Sequence, residues 1–219
     1  MSVLAVAEPY GNTVLVSDRQ SWVNTTHDWS AEVDVEHLAT IRRDAADRPA
    51  AGQLLHLVLE VLAYADEEAE SLGRKGSCSI SIHADGSILV TDDGRGTDTR
   101  HDEHGIPIKK PVIATKDLRF FDAQERVFLP DGELRRGMSI VAALSRWLIH
   151  TNRNQVGAWT QRYEHGIPCS DLLPLPRTAG TGTAIHFLVD QDTLPTPADA
   201  DGLRAIARFP WLSIQFLTG

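Results

Sequence analysis

Glu60 and His56 are the first residues in this sequence whose types and spacing indicate chemistry. Glu60 interrupts an apolar stretch, between Leu59 and Val61, where an unpaired carboxylate would be costly to bury. His56 lies four positions earlier, so the two side chains share a face if the segment is helical. An imidazole held against a carboxylate can form a general-base arrangement. A purely structural pair on a helix explains the same spacing equally well, and the pair alone does not decide.

A second carboxylate, Asp92, lies where a strand-like run meets a glycine-rich turn. The stretch ILVTDDGRGTD, residues 88–98, begins with three aliphatic residues and continues with two adjacent acids. Gly94 and Gly96 follow, and glycine permits backbone conformations that other residues avoid. The segment is therefore either a polar hairpin turn or the floor of a ligand pocket.

Hydrophobic spacing predicts the helices that carry these residues. Apolar side chains recur at helical intervals over residues 53–72, which include both His56 and Glu60. Similar spacing predicts helices over 34–43 and 137–149. The segment 195–210 is predicted to be a linker followed by a final helix.

Alternating residues predict the strands. Residues 78–83 and 87–92 read as a hairpin with Gly86 at the turn position that needs a positive φ. The segments AWTQRYEHGIPCSDL and GTAIHFLVD are also typical of antiparallel strands. The order of these elements predicts an α+β sandwich, with a mostly antiparallel sheet and helices on one face.

The composition of the chain excludes several classes of protein. The 219 residues carry a formal net charge of −9, and a phosphate-binding surface needs clustered Lys and Arg, so no direct DNA binding is expected. No apolar run is long enough to cross a bilayer, so no membrane association is expected. Cys78 and Cys169 lack metal-ligand spacing, and the first residues lack the pattern of a signal peptide. A cytoplasmic protein with free thiols is predicted.

Five motifs, taken in order, resemble the ATP-binding domain found in the B subunits of bacterial DNA gyrase and of its topoisomerase IV relative. They are LLHLVLEVLAYADEEAE, SISIHADGSILVTDDGRG, VAALS, QRYEHGIP and TGTAIHF. The domain belongs to the GHKL superfamily, with histidine kinases, mismatch-repair ATPases and a heat-shock chaperone. The resemblance implies a two-layer α/β sandwich over residues 36–219, with a variable lid at about 97–136. Residues 1–35 match nothing in the family and are predicted to be a strand-like extension.

The resemblance implies an adenine pocket around Asp92. Asp92 matches the aspartate that accepts a hydrogen bond from the exocyclic amine of adenine. Thr183 matches the threonine whose hydroxyl binds the same adenine–water network. Gly94 and Gly96 would let the backbone approach the ring closely. The apolar walls of the pocket match Val61, Ala65, Val90 and Ile185.

The resemblance also implies a catalytic role for Glu60 and His56, but the metal position differs. The matching glutamate activates the water that attacks the γ-phosphate, and the matching histidine orients that glutamate. The family places a Mg²⁺-binding asparagine four residues after the glutamate, where this chain has Tyr64. A phenol is a poor Mg²⁺ ligand. The sequence therefore predicts ATP or ADP as the bound nucleotide, and it predicts no metal ligand at this position.

The phosphate-binding loop is predicted to be degraded. Gly132 and Gly137 match two of the family's loop glycines, whose amides bind the terminal phosphates, but Arg135 occupies a third position. Arg136 could pair with phosphate or lie in solvent. The segment RFFDAQ stands where the family has a paired-glycine hinge and a lysine.

These matches and departures predict an adenine-nucleotide-binding domain whose ATP hydrolysis is weak or lost. The family's dimerisation arm, its second domain and its DNA-cleaving parts have no counterpart, so a monomer without strand-passage activity is expected. The alternative is a non-enzymatic interaction module that binds a regulatory partner, or an aminocoumarin inhibitor in the adenine pocket. The arginine that the family uses for such inhibitors aligns with Thr160, with Arg162 two residues away.

Overall fold

The computed structural model describes residues 33–47, 52–97, 113, 115–121, 126–194 and 199–218. Nearly all of the predicted extension (1–35) and much of the predicted lid (97–136) lie outside these ranges. The proposed boundary at residue 36 therefore stays a prediction. Within the described ranges, no helix is long and apolar enough to cross a membrane.

The described residues form five helices and eight strands. The helices are α1 (Val35–Ala46), α2 (Gln53–Ser71), α3 (Leu118–Phe121), α4 (Met138–Leu144) and α5 (Ala200–Ile206). The strands are β1 (Gly76–Ile82), β2 (Ile88–Asp92), β3 (Ser145–Arg153), β4 (Ala158–Glu164), β5 (Ile167–Pro168), β6 (Leu173–Pro174), β7 (Gly182–Val189) and β8 (Leu212–Thr218). The helices predicted near the start of the domain and the predicted hairpin are confirmed, with shifts of a few residues at their ends.

All eight strands belong to one sheet. Their order is β5-β4-β3-β7-β2-β1-β8, with β6 paired to β4. Every pairing is antiparallel except that of β1 with β8, which is parallel. In the β1–β2 hairpin, Gly86 has the predicted positive φ, at 84°. The predicted α+β class with a mostly antiparallel sheet is confirmed.

Helix α2 fixes the helical layer to the sheet. It packs across β1, β2 and β8, while α4 packs against α1, α2 and β3. Leu57 and Leu62 of α2 are fully buried in the same core as Ile88 and Phe187 of the sheet. Each such side chain contributes about 1.5–3 kcal/mol when it is fully buried. The burial of this stripe sets the rotation of α2, and so the direction in which its polar residues point.

The predicted helix over 137–149 is wrong in its second half. Helix α4 ends at Leu144, and β3 begins at Ser145, whose backbone is already extended (φ −91°, ψ 132°). The Ser145 hydroxyl donates to the Val141 carbonyl at 2.7 Å, which satisfies an acceptor at the helix end. From Leu148 to Arg153, β3 pairs with both β4 and β7. Pairing on both edges outweighs the helical spacing of the local sequence.

Strand β8 was not among the predicted elements, although its pattern was present. Leu212, Ile214 and Phe216 alternate with polar or exposed residues, which is typical of a half-buried strand. The strand runs parallel to β1, in a register that pairs Gly76 with Leu212. It therefore forms one edge of the sheet.

Candidate functional site

A cavity of about 340 Å³ lies between α2 and the strands β2, β3, β4 and β7. Its size is within the range of small-molecule sites. The predicted site residues that line it are Val61, Ala65, Asp92, Gly96, Thr183 and Ile185. The fold thus brings together side chains from a helix, a hairpin and a distant strand around one cavity. Val90 is buried in the core instead of in the cavity wall, and Gly94 also lies outside the lining.

Asp92 is the last residue of β2, and the two oxygens of its carboxylate differ in their hydrogen bonds. Its Oδ1 accepts hydrogen bonds from the backbone N–H groups of Gly94 at 2.9 Å and Thr183 at 3.2 Å. Its Oδ2 accepts no hydrogen bond from the described residues. Burial raises the pKa of Asp92, and the two backbone hydrogen bonds partly oppose that rise. The side chain is therefore an oriented acceptor at the edge of a mostly apolar cavity.

The two glycines after Asp92 are explained by packing within the protein. A Cβ on Gly94 would lie 2.8 Å from Cγ of Glu68. Gly96 has φ 75°, and a Cβ there would overlap the carbonyl oxygen of Arg153. Asn152 holds the same segment, because its Oδ1 accepts from the Thr97 N–H at 2.6 Å and its Nδ2 donates to the Thr97 carbonyl at 2.8 Å. The predicted close approach of this backbone to a ligand ring stays a prediction.

Strand β4 supplies wall residues that the sequence prediction missed. Trp159, Gln161 and Tyr163 all line the cavity, since alternate residues of a strand share a face. The Tyr163 hydroxyl donates to Gln161 Oε1 at 2.7 Å within the interior. Met138, at the start of α4, also lines the cavity. The alternation of β4 was visible in the sequence, but the face that it presents to the cavity depends on its pairing with β3.

Glu60 is fully buried and binds the loop that precedes α4. One carboxylate oxygen accepts the backbone N–H of Arg136, and the other accepts that of Gly137 at 2.9 Å. Gly137 has φ 85°, which brings its amide toward the carboxylate. Gly132, the other predicted loop glycine, lies in an exposed turn with φ 82°. Neither glycine lines the cavity.

His56 lies between two carboxylates. Its Nε2 is 3.4 Å from Glu60 Oε1, and its Nδ1 is 2.7 Å from Asp131 Oδ2. Burial opposes the charge on this ring, but hydrogen bonds to Asp131 and Glu60 outweigh burial and raise the pKa of His56 to about 9. His56 is therefore an imidazolium at neutral pH. Asp131 was not among the predicted site residues, because its contact with His56 joins positions 75 residues apart.

Tyr64 lies next to both this polar cluster and the cavity. It lines the cavity, whereas Glu60 and Gly137 do not. The Tyr64 hydroxyl donates to Asp117 Oδ2 at 2.7 Å. It also packs so closely on Gly137 that a Cβ there would lie 2.8 Å from the phenol oxygen. Burial and the neighbouring Asp117 raise the pKa of Tyr64, so the phenol stays protonated.

Two arginines, Arg135 and Arg119, lie next to Tyr64. Arg135 is buried, pairs with Glu67, and has its guanidinium carbon 4.8 Å from the centre of the Tyr64 ring. Arg119 contacts Glu67 at 3.0 Å and Asp117 at 2.7 Å. Arg135, which was predicted to replace a loop glycine, is thus part of an internal ion-pair network.

The residues present do not fit a Mg²⁺ ion at the expected position. Tyr64 stands where the asparagine ligand was expected, and its hydroxyl is used by Asp117. Among the described residues, no group of three or more His, Cys, Asp or Glu side chains is placed to hold a metal ion. Mg²⁺ needs several oxygen ligands in octahedral geometry.

Comparisons with known proteins identify relatives of this chain. It is 31% identical over 144 residues to the B subunit of DNA topoisomerase 4 from Bacillus subtilis, an alignment that covers 65% of this chain and 22% of the relative. It is 33% identical over 143 residues to the B subunit of DNA gyrase from Mycolicibacterium smegmatis, with 65% and 21% covered. The B subunit of the mitochondrial DNA gyrase of Arabidopsis thaliana is 31% identical over 163 residues, with 68% and 21% covered. The chain thus spans about a fifth of the length of these relatives.

The fold also has a solved counterpart. The topoisomerase IV ATP-binding domain of Francisella tularensis, solved in complex with a small-molecule inhibitor, matches with a TM-score of 0.57 and 20% sequence identity. The match covers 74% of this chain and 45% of that chain. No family model matches the sequence. Over about two thirds of its length, this chain is therefore similar in sequence to the B subunits of DNA gyrase and topoisomerase IV, and it shares the fold of a topoisomerase ATP-binding domain.

Proposed function

We propose that this chain recognises the adenine ring of a nucleotide or nucleoside and that its ATP hydrolysis is weak or lost. The observation that carries the proposal is the geometry of Asp92, with one oxygen fixed by two amides and the other accepting no hydrogen bond from the described residues. A carboxylate can only accept hydrogen bonds. The exocyclic amine of adenine is a donor that suits it. The relationship to proteins with ATP-binding domains supports this choice among amine-bearing rings.

The cavity walls support the binding of a flat, apolar ring. Val61 and Ala65 lie on the helix side, and Ile185 lies on the sheet side. Burial of the ring between these side chains would supply affinity, and Asp92 would fix its orientation. Thr183 also lines the cavity, and its backbone N–H already contacts Asp92. We expect its hydroxyl to bind a water that contacts both the ligand and Asp92.

The arrangement of Glu60 supports weak or absent hydrolysis. Both of its oxygens accept amides of the loop before α4, and Glu60 does not line the cavity, whereas Tyr64 does. A general base must come within hydrogen-bond reach of the water that it activates. Glu60 would have to release the loop, and Tyr64 would have to move, before that geometry could form.

Calorimetric titration with adenosine, ADP and ATP tests the proposal directly. We expect dissociation constants in the micromolar to millimolar range, about −4 to −8 kcal/mol. Asp92→Asn should abolish binding, because its amide presents an NH₂ to the amine donor. Asp93→Asn is the matched control, since Asp93 pairs with Arg74 at the surface and does not line the cavity. Absence of heat and of a thermal shift with all three ligands at millimolar concentration would contradict adenine recognition.

Binding of an aminocoumarin inhibitor is the competing outcome. Thr160 and Arg162 are outside the described cavity lining, and the Arg162 guanidinium carbon lies 5.3 Å from the centre of the Trp147 ring. The described lining therefore offers no arginine to such a ligand. An inhibitor that binds while no adenine compound binds would favour the interaction module over adenine recognition.

The proposal includes a cytoplasmic location. Cys78 is buried and Cys169 is exposed, and both are free thiols. Free thiols are typical of proteins in a reducing compartment.

A further inference from the structure

The loop amides before α4 are already used by the protein itself. Arg136 and Gly137 donate their backbone N–H groups to the two oxygens of Glu60. Glu60 is fully buried, so water does not compete for these hydrogen bonds. A phosphate group could bind the same amides only after displacing the carboxylate.

Tyr64 forms the end wall of the cavity on the side of this loop. Its ring faces the cavity, and its hydroxyl contacts Asp117 and packs on Gly137. Arg135 lies against the ring, and Glu67 joins Arg135 to Arg119. Tyr64 is therefore held in place by its hydrogen bond to Asp117 and by the two arginines that lie against its ring.

The charges of the lining also disfavour an anion. The described residues of the lining include the carboxylates Glu67, Glu68 and Asp92, and they include no lysine or arginine. Glu68 binds Arg95 through both oxygens, at 2.7 and 3.0 Å. Glu67 engages the two arginines behind Tyr64. The guanidinium groups of Arg95, Arg119 and Arg135 are thus paired with carboxylates, and the carboxylate of Asp92, which has no ion pair among the described residues, would repel a ligand phosphate.

We propose that this cavity selects uncharged adenine compounds, such as adenosine, over ADP and ATP. The inference rests on the adenine recognition proposed above and adds the class of ligand. The exocyclic amine of adenine binds at Asp92, and the adenine ring binds between the apolar walls. Glu60 already accepts the amides of Arg136 and Gly137, and the described lining includes no lysine or arginine, so each phosphate would reduce the affinity.

A ligand series on the full chain tests this selectivity. Adenosine, AMP, ADP and a non-hydrolysable ATP analogue would be titrated by calorimetry, with and without Mg²⁺. We expect adenosine to bind up to about tenfold more tightly than the ATP analogue, which corresponds to about 1.4 kcal/mol. Equal or tighter binding of ADP or of the analogue would overturn the selectivity while leaving adenine recognition intact. Failure of every compound, adenosine included, would overturn adenine recognition and the selectivity together.

The Tyr64 wall has its own matched pair of variants. Tyr64→Ala removes the wall, so the affinity of the ATP analogue relative to adenosine should rise by about fivefold or more. Tyr64→Phe keeps the ring and loses only the hydrogen bond to Asp117. Its affinity for the ATP analogue relative to adenosine should therefore match that of the wild type. An unchanged ratio in a folded Tyr64→Ala protein would show that the wall does not exclude phosphates. If Tyr64→Ala does not fold, the wild-type ligand series alone decides the selectivity.

Discussion

Asp92 and Glu60 are both buried carboxylates, and their hydrogen bonds give them different capacities. Glu60 receives one loop amide at each oxygen, so both oxygens serve the fold. Asp92 receives two amides at a single oxygen. The second oxygen of Asp92 is thus available to a ligand donor, whereas Glu60 acts as an internal anion for the loop. Residue type alone does not distinguish these two cases, because the difference lies in which amides the fold brings to each side chain.

The charge of His56 predicts how stability depends on pH. The pKa of His56 is raised from the ordinary 6.5 to about 9 in the folded protein. Its contribution is therefore fully present below pH 6.5 and is lost as the pH rises through about 9. We expect the free energy of unfolding, measured by urea denaturation, to decrease over this window.

Two variants show whether His56 is responsible for that decrease. His56→Gln leaves Asp131 and Glu60 without the imidazolium, so it should be less stable at pH 6.5 and show little further loss up to pH 9. Asp131→Asn removes one of the two carboxylate partners, so the decrease in the free energy of unfolding should occur at lower pH. Equal pH profiles for the wild type and His56→Gln would assign the effect to another group.

At the scale of elements, β3 shows where local pattern and tertiary structure disagree. Its residues fit a helical spacing, but their neighbours in space are β4 and β7. The hairpin β1–β2 and helix α2 were predictable because their patterns and turn residues are local. Strand β3 was not, because its partners β4 and β7 become adjacent only in the folded sheet.

A pair of substitutions in β3 tests whether this strand is buried within the sheet. Leu148 is fully buried in the centre of the sheet, so Leu148→Ala should destabilise the protein by about 2–5 kcal/mol. Arg146, in the same strand, is exposed, and Arg146→Ala should change stability by no more than about 0.5 kcal/mol. Chemical denaturation of both variants is the measurement. Similar losses for the two variants would mean that β3 is not a buried strand between β4 and β7.

Part of the candidate site was likewise predictable from local sequence, and part of it was not. Asp92, Thr183, Val61 and Ile185 belong to local motifs, and the structure places them around one cavity. The contacts that hold the site residues in place were not predictable, because each contact joins two remote parts of the chain. Tyr64 contacts Asp117 across 53 positions, and Thr97 contacts Asn152 across 55. Such pairs leave no signal in a single sequence.

At the scale of the whole molecule, net charge predicts weak interaction with nucleic acid. The chain carries 30 acidic and 21 basic residues. Among the described residues, several arginines are paired with acids, as in the pairs of Arg74 with Asp93 and Arg95 with Glu68. We expect no retardation of duplex DNA in an electrophoretic assay at about 50 mM salt, where phosphate contacts are strongest. A salt-sensitive shift at micromolar protein would contradict this expectation.

Turnover depends on the whole arrangement, since phosphoryl transfer needs a base, phosphate donors and charge stabilisation in one place. In this chain Glu60, the predicted base, is bound to the loop, Tyr64 stands where the metal ligand was expected, and Arg135 is paired with Glu67. Removal of a single preorganised donor typically costs ~10²–10³ in rate. We therefore expect phosphate release at saturating ATP to equal a protein-free blank for the wild type, for Glu60→Ala and for the exposed control Glu70→Ala. A readily measured rate that persists in Glu70→Ala and disappears in Glu60→Ala would instead show that Glu60 leaves the loop amides and reaches the nucleotide during turnover.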